Sequence, residues 1–82
     1  MNAQEMNALF LEIDDYVDTL YEEYSPGMSY KDGIVVQERI MQTLEEVDSM
    51  DTDSKESREV RKLIVDYLMR HLDILDHLLE NE

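Results

Sequence analysis

The chain has 82 residues, of which 43% are hydrophobic, and its 21 acidic and seven basic residues give a formal net charge of −14. It contains no cysteine, which excludes disulfides, thiolate nucleophiles and cysteine-based metal sites. No apolar run reaches the roughly 18 residues that a membrane-spanning helix requires, and the N-terminus lacks the basic region and apolar segment of a signal peptide. We therefore expect a single cytoplasmic domain over residues 1–82.

The negative charge is concentrated toward the N-terminus. Residues 1–30 carry seven acids and no base, residues 31–54 carry seven acids and two bases, and residues 55–82 carry seven acids and five bases. Such a field repels nucleic acid and anionic lipid and attracts basic protein surfaces, although a charge excess also serves solubility alone. We expect a protein partner with a basic surface, and no direct binding to nucleic acid or membrane.

The first predicted element is an amphipathic helix over about residues 3–24. At about 100° per residue, its apolar side chains fall on one side and its carboxylates on the other. Leu11 is the exception, because it projects into the middle of the acidic arc. An apolar anchor ringed by carboxylates suits a basic partner, whereas a single exposed leucine is also ordinary on a protein surface. The predicted partner-binding residues of this helix are Leu11, Glu12, Asp14, Asp15, Asp18 and Glu22.

A turn and a helix cap separate the first helix from the second. Pro26-Gly27 fits the central positions of a type II turn, and Ser29 with Asp32 three residues later fits a capping box. The second helix is then expected over about residues 30–48, with its apolar side chains on one side. Its polar side adds three acids to the predicted partner surface, namely Glu45, Glu46 and Asp48.

The third predicted helix, over about residues 57–80, carries the longest apolar-periodic run in the chain. Its apolar residues form two adjacent stripes that together cover roughly 200°, where a surface helix needs a little over 100°. The first stripe has the spacing of a buried helical face and consists of Val60, Leu63, Ile64, Tyr67, His71, Ile74 and Leu78. The second stripe has the spacing of a coiled-coil seam and consists of Val65, Leu68, Leu72, Leu75 and Leu79.

Three amphipathic helices with two short connections favour an all-α, antiparallel, up-down-up three-helix bundle. A chain of this length is close to the size at which a single core is only marginally sufficient. We predict that the first stripe of the third helix faces the core. The second stripe is predicted to support a homodimer, because two shorter helices would leave its side chains uncovered in water.

The sequence lacks the residues that metal sites and catalytic sites require. A calcium loop beginning at Asp51 is rejected, because Lys55 and Lys62 stand where oxygen ligands belong. His71 and His77, the only histidines, are too few for a metal site, and His71 is expected to be hydrogen-bonded in the core or an interface. The sequence has no phosphate-binding loop and no recognisable nucleophile arrangement. We expect no cofactor, no metal and no enzymatic activity.

A basic cluster opens the third helix, but two glutamates interleave with it and nearly cancel its field. This makes it a poor nucleic-acid patch. We expect either a solvated helix start or an internal complement to the acids of the first helix. The cluster consists of Lys55, Arg58, Arg61 and Lys62, with Glu56 and Glu59 between them.

Two classes of function fit these features. The first is a non-enzymatic inhibitor or regulator whose acidic surface occupies a basic site on its target, by analogy with phage-encoded inhibitors of bacterial nucleases and defence complexes. The most specific version of this hypothesis is nucleic-acid mimicry, which predicts that the protein competes with nucleic acid and that binding to its target weakens steeply with salt. The second class is a homodimeric adaptor, assembly or chaperone-like protein that uses the seam of the third helix. The acidic arc of the first helix favours the first class.

Overall fold

Three helices form the described part of the chain. The computed structural model describes residues 1–24 and 29–80, with helices α1 (Ala3–Tyr24), α2 (Tyr30–Asp48) and α3 (Lys55–Glu80). Successive helices are antiparallel, and the bundle measures 43 × 20 × 14 Å along its principal axes. None of the helices described is both long and apolar enough to cross a bilayer. The predicted all-α three-helix bundle is confirmed.

Local signals in the sequence decide where α2 and α3 begin. The Asp32 N–H donates to Ser29 Oγ at 3.2 Å and the Ser29 N–H donates to Asp32 Oδ2 at 3.4 Å, which confirms the predicted capping box. Ser54 and Ser57 repeat this arrangement, and each backbone N–H donates to the other residue's hydroxyl oxygen at 3.1 Å. α3 therefore begins directly after Ser54, earlier than predicted. The predicted turn at Pro26-Gly27 lies outside the described residues.

The hydrophobic core lies between all three helices. α3 contacts both other helices, and the α1·α2 contact is the least extensive. Burial of apolar side chains is the main favourable term in folding, and a chain this short has few of them to bury. The core side chains are at most 6% exposed and consist of Met6, Ile13, Val17 and Leu20 from α1, Val36, Ile40 and Val47 from α2, and Ile64, Leu68 and Leu75 from α3.

The stripe of α3 that was predicted to support self-association supplies the core instead. Leu68 and Leu75 have no solvent exposure, because α2 covers this side of α3 within the same chain. Val65 and Leu72 pack half-buried against the core, and Leu79 is also half-buried. The prediction that two shorter helices leave the stripe uncovered is therefore wrong. These five side chains no longer argue for a dimer.

The stripe of α3 that was predicted to face the core is divided between core and solvent. The buried line of α3 follows Ile64, Leu68 and Leu75, which lie at the boundary of the two stripes. α3 packs against both α1 and α2, so the side of α3 that faces the core points between those two helices. The outer edge of the first stripe therefore reaches solvent. Its exposed members are Leu63 (57%), Ile74 (46%) and Leu78 (55%).

Candidate protein-binding surface

α2 and α3 together form a surface with exposed apolar side chains and two grooves. Tyr30 and Met41 of α2 and Met69 of α3 are large apolar residues exposed to solvent. At about 100° per residue, they lie where the two helices meet solvent together, on the side away from α1. We term this surface the α2·α3 face and define it by these three residues and the linings of its two grooves.

The smaller groove of the α2·α3 face lies next to the connection between the two helices. Its volume is about 240 Å³, and it is lined by Asp48, Arg58, Arg61, Lys62 and Val65. The lining thus combines three cations and one carboxylate with a half-buried apolar side chain. These cations of the basic cluster share the groove with an acid of α2, and the exposure of Arg58 and Lys62 fits the expected solvated helix start. This end of the face has net positive charge and suits acidic groups on a partner.

One cation of the smaller groove has a structural role. Arg61 is half-buried and its Nη1 donates to the carbonyl oxygen of Met50 at 2.8 Å, which holds the α2–α3 connection against α3. Hydrogen bonds made by charged groups are stronger than neutral ones. Arg58 and Lys62 are exposed. They are therefore the two cations of this groove whose charge is best placed to meet a partner.

The larger groove lies at the other end of the α2·α3 face and has a volume of about 620 Å³. Gln37 Nε2 donates to Asp76 Oδ1 and links the two helices there. Glu38 and Glu80 add carboxylates, so this end of the face is negative. The α2·α3 face is thus positive beside the connection, and at the far end it carries carboxylates together with apolar side chains. The groove is lined by Tyr30, Ile34, Gln37, Glu38, Met41, Asp76, Leu79 and Glu80.

The acids predicted to bind a partner are exposed on α1 and α2. The carboxylates of α1 point away from the core, and Leu11 among them is 71% exposed. Asp48, in contrast, lies in the smaller groove of the α2·α3 face beside cations of α3. Asp48 therefore lies among cations of α3 and does not extend the acidic arc of α1. The remaining predicted residues are exposed on their own helices: Glu12, Asp14, Asp15, Asp18 and Glu22 on α1, and Glu45 and Glu46 on α2.

A cluster of aromatic and polar side chains joins α1 to α3. The Tyr67 hydroxyl donates to Asp14 Oδ1 at 2.7 Å, and the Tyr67 ring meets Phe10 edge-on with centroids 5.4 Å apart. The hydroxyl of Tyr21 lies 3.2 Å from Nδ1 of His71, which confirms the predicted hydrogen-bonded histidine. Burial and then the bond to Asp14 raise the pKa of Tyr67, and burial raises the pKa of Tyr21. We assign this cluster a structural role.

Of the residues that define the α2·α3 face, only Asp48, Val65 and Leu79 were among the predicted site residues. Tyr30, Met41 and Met69 carried no charge signal, and the exposed cations Arg58 and Lys62 were discounted because glutamates interleave with them in sequence. Finding this face requires the register of α2 against α3, that is, knowing which side chains of the two helices lie next to each other. Within residues 1–24 and 29–80, no three His, Asp or Glu side chains lie close enough together to hold a metal ion.

The family model for the BAG domain matches this chain over residues 3–78. The matched span begins with α1 and includes α2, the connection and nearly all of α3. Comparisons with curated proteins and with solved structures found no match.

BAG domains are three-helix bundles that bind the ATPase domain of Hsp70 chaperones as nucleotide exchange factors or co-chaperones. A protein partner was predicted correctly at this level. The predicted inhibitor of a nuclease or defence complex, acting by nucleic-acid mimicry, is wrong, and the chaperone-like alternative is closer. The error arose because surface charge was weighed above the pattern of the helices, although net charge says little about fold. With a match over most of its length, the chain belongs to the BAG domain family.

Proposed function

We propose that this protein docks on the ATPase domain of an Hsp70-type chaperone through its α2·α3 face and regulates nucleotide exchange there. The match to the BAG domain over residues 3–78 is the observation that carries the proposal. The class of partner is inferred from the family. The docking face is inferred from the shape and charge of the bundle.

The packing of α2 against α3 favours the α2·α3 face as the docking surface. The contact between these two helices is the most extensive in the bundle, so their relative position is fixed before a partner arrives. A preorganised surface loses less conformational entropy on binding than a mobile one. Tyr30 and Met41 in the lining of the larger groove, together with Met69 of α3, offer exposed apolar area on this face. Aromatic and methionine side chains are enriched at protein interfaces.

The charges at the two ends of the face favour one orientation of the partner. Arg58 and Lys62 would meet acidic groups at the connection end, while Glu38, Asp76 and Glu80 would meet basic groups at the far end. Complementary charges at both ends raise the association rate and penalise the reversed orientation. The predicted basic partner surface thus remains in the proposal, restricted to the far end of the face. Binding is expected to weaken as salt screens these charges.

Regulation of nucleotide exchange requires unequal affinity for two states of the chaperone. A ligand shifts an equilibrium only by the difference between its affinities for the two conformations. We expect the α2·α3 face to bind the nucleotide-free ATPase domain more tightly than the nucleotide-bound one. Nucleotide release is then accelerated, and added nucleotide dissociates the complex.

The test is the release of a fluorescent ADP analogue from an Hsp70 ATPase domain. The unmodified protein should accelerate release, and Arg58→Glu with Lys62→Glu should weaken the effect about tenfold or more, as expected when about 1.4 kcal/mol of binding is lost. Arg70→Glu is the matched control, because Arg70 is an exposed cation of α3 outside both groove linings. Circular dichroism should show unchanged helicity in all variants.

Two outcomes distinguish an error in the docking surface from an error in the proposed function. If the double variant accelerates release as well as the unmodified protein does, the α2·α3 face is not the docking surface. If the unmodified protein neither binds the ATPase domain nor changes nucleotide release, the proposed function itself is wrong.

A further inference from the structure

A second exposed apolar strip lies where α1 and α3 meet solvent, on a different side of the bundle from the α2·α3 face. At about 100° per residue, its α3 members lie on the flank of the helix next to α1 and away from Met69. Single exposed apolar residues are ordinary, but several on one flank mark an interaction surface. We term this strip the α1·α3 face and define it by Leu11, Leu63, Ile74 and Leu78, all exposed.

The floor of the α1·α3 face is held in place by side chains from both helices. Tyr67 contacts the ring of Phe10 and donates to Asp14, so the two helices are tied together beneath the strip. The rings of Tyr67 and His71 lie 4.7 Å apart edge-on, and His71 in turn pairs with Tyr21 of α1. The strip therefore has a fixed shape in the free protein, which lowers the entropic cost of binding.

The edge of the α1·α3 face along α1 is acidic. Asp14, Asp18 and Glu22 are exposed there, within one to three turns of Leu11, and α1 contains no lysine or arginine. Arg70 is the one cation of α3 between Leu63 and Leu78. An apolar strip with carboxylates along one edge complements a helix that carries an apolar stripe beside lysines or arginines.

We propose that the α1·α3 face docks a basic amphipathic helix of a partner protein. The strip is about 22 Å long from Leu63 to Leu78 at about 1.5 Å per residue, which matches about four turns of a docked helix. A second copy of this chain is disfavoured as the occupant, because two acidic α1 helices would then approach each other. The proposal does not rest on the chaperone function, and the two faces can be occupied at once.

The probe for this site is a synthetic helical peptide of about 16 residues with leucines on one face and lysines beside them. A peptide of the same composition in scrambled order has no apolar stripe and serves as its control. Titration into the full chain should show one-to-one binding by calorimetry. Backbone amide shifts in the NMR spectrum should change along the outer side of α1 and around Leu63, Ile74 and Leu78.

Paired variants locate the peptide. Leu63→Glu with Ile74→Glu should lower its affinity at least tenfold, and Asp18→Lys with Glu22→Lys should lower it and remove most of its salt dependence. The matched control is Met41→Glu with Met69→Glu on the α2·α3 face, which should leave peptide affinity unchanged. In the nucleotide-release assay, Leu63→Glu with Ile74→Glu should behave like the unmodified protein, so failure of one proposal does not imply failure of the other.

Four results would overturn the proposal. The first is absence of binding by the amphipathic peptide, and the second is equal binding by the scrambled peptide. The third is a peptide site that maps to the α2·α3 face. The fourth is a dimer of the unmodified protein in light scattering that Leu63→Glu with Ile74→Glu converts to a monomer, since a second copy would then be the occupant.

Discussion

Tyr67 of α3 donates its hydroxyl hydrogen to Asp14 of α1 at 2.7 Å, beside the contact between its ring and Phe10. Burial and this hydrogen bond raise the pKa of Tyr67 above its ordinary value of 10.0. Between the two pKa values, the unfolded chain releases the phenolic proton while the folded chain keeps it. The contribution of this proton to stability is therefore complete below about pH 10 and is lost as the pH rises through the folded-state pKa.

Tyr67→Phe should lower the free energy of unfolding at neutral pH by about 1 kcal/mol, because it removes one hydrogen bond and keeps the ring. Above about pH 10, the variant should lose less stability per pH unit than the unmodified protein, since its residue 67 has no proton to release. Urea denaturation between about pH 7 and pH 11 measures both effects. Parallel stability curves for the two proteins above about pH 10 would contradict this account.

Leu68→Ala and Leu63→Ala test which side of α3 is buried in the core. Leu68 is fully buried, so its truncation should cost about 2–5 kcal/mol through lost burial and the cavity left behind. Leu63 is 57% exposed, and its truncation should cost less than about 1 kcal/mol. Thermal and urea denaturation of the pair give the comparison. Equal costs would mean that the buried line of α3 is wrongly placed.

Ser54→Ala should destabilise the protein by about 1 kcal/mol, because the Ser54 hydroxyl oxygen accepts the backbone N–H of Ser57 at the start of α3. Ser54→Asp keeps an acceptor at this position and should retain most of the stability. Urea denaturation measures the difference between the two variants. Equal losses in both would show that the cap contributes little.

Arg61→Gln should lower the free energy of unfolding by about 1.5–3 kcal/mol, because it removes a charged donor from the Met50 carbonyl oxygen. Amide hydrogen exchange should accelerate in residues 49–54 more than in the middle of α3. Lys62→Glu, one residue away and exposed, is the control and should leave both quantities nearly unchanged. Uniform acceleration along the chain would argue against a local role for Arg61.

Much of the fold was predictable from local sequence. Hydrophobic periodicity in each segment predicted three helices, and Ser29 with Asp32 predicted the cap of α2, because these signals depend on residues close together in the chain. The cap of α3 at Ser54 is equally local, although α3 begins earlier than its apolar pattern does. Local signals were insufficient for the partner surface, since it depends on which helix flanks face each other.

Residue spacing alone specifies an acidic bundle of three amphipathic helices with more apolar surface on α3 than one neighbouring helix can cover. How that surface is used depends on the packing of the three helices. Because α3 faces α1 and α2 together, Leu68 and Leu75 are buried between them, while Leu63 and Ile74 reach solvent. The position of a side chain around one helix follows from local spacing, but the side that neighbours cover depends on contacts between residues far apart in sequence.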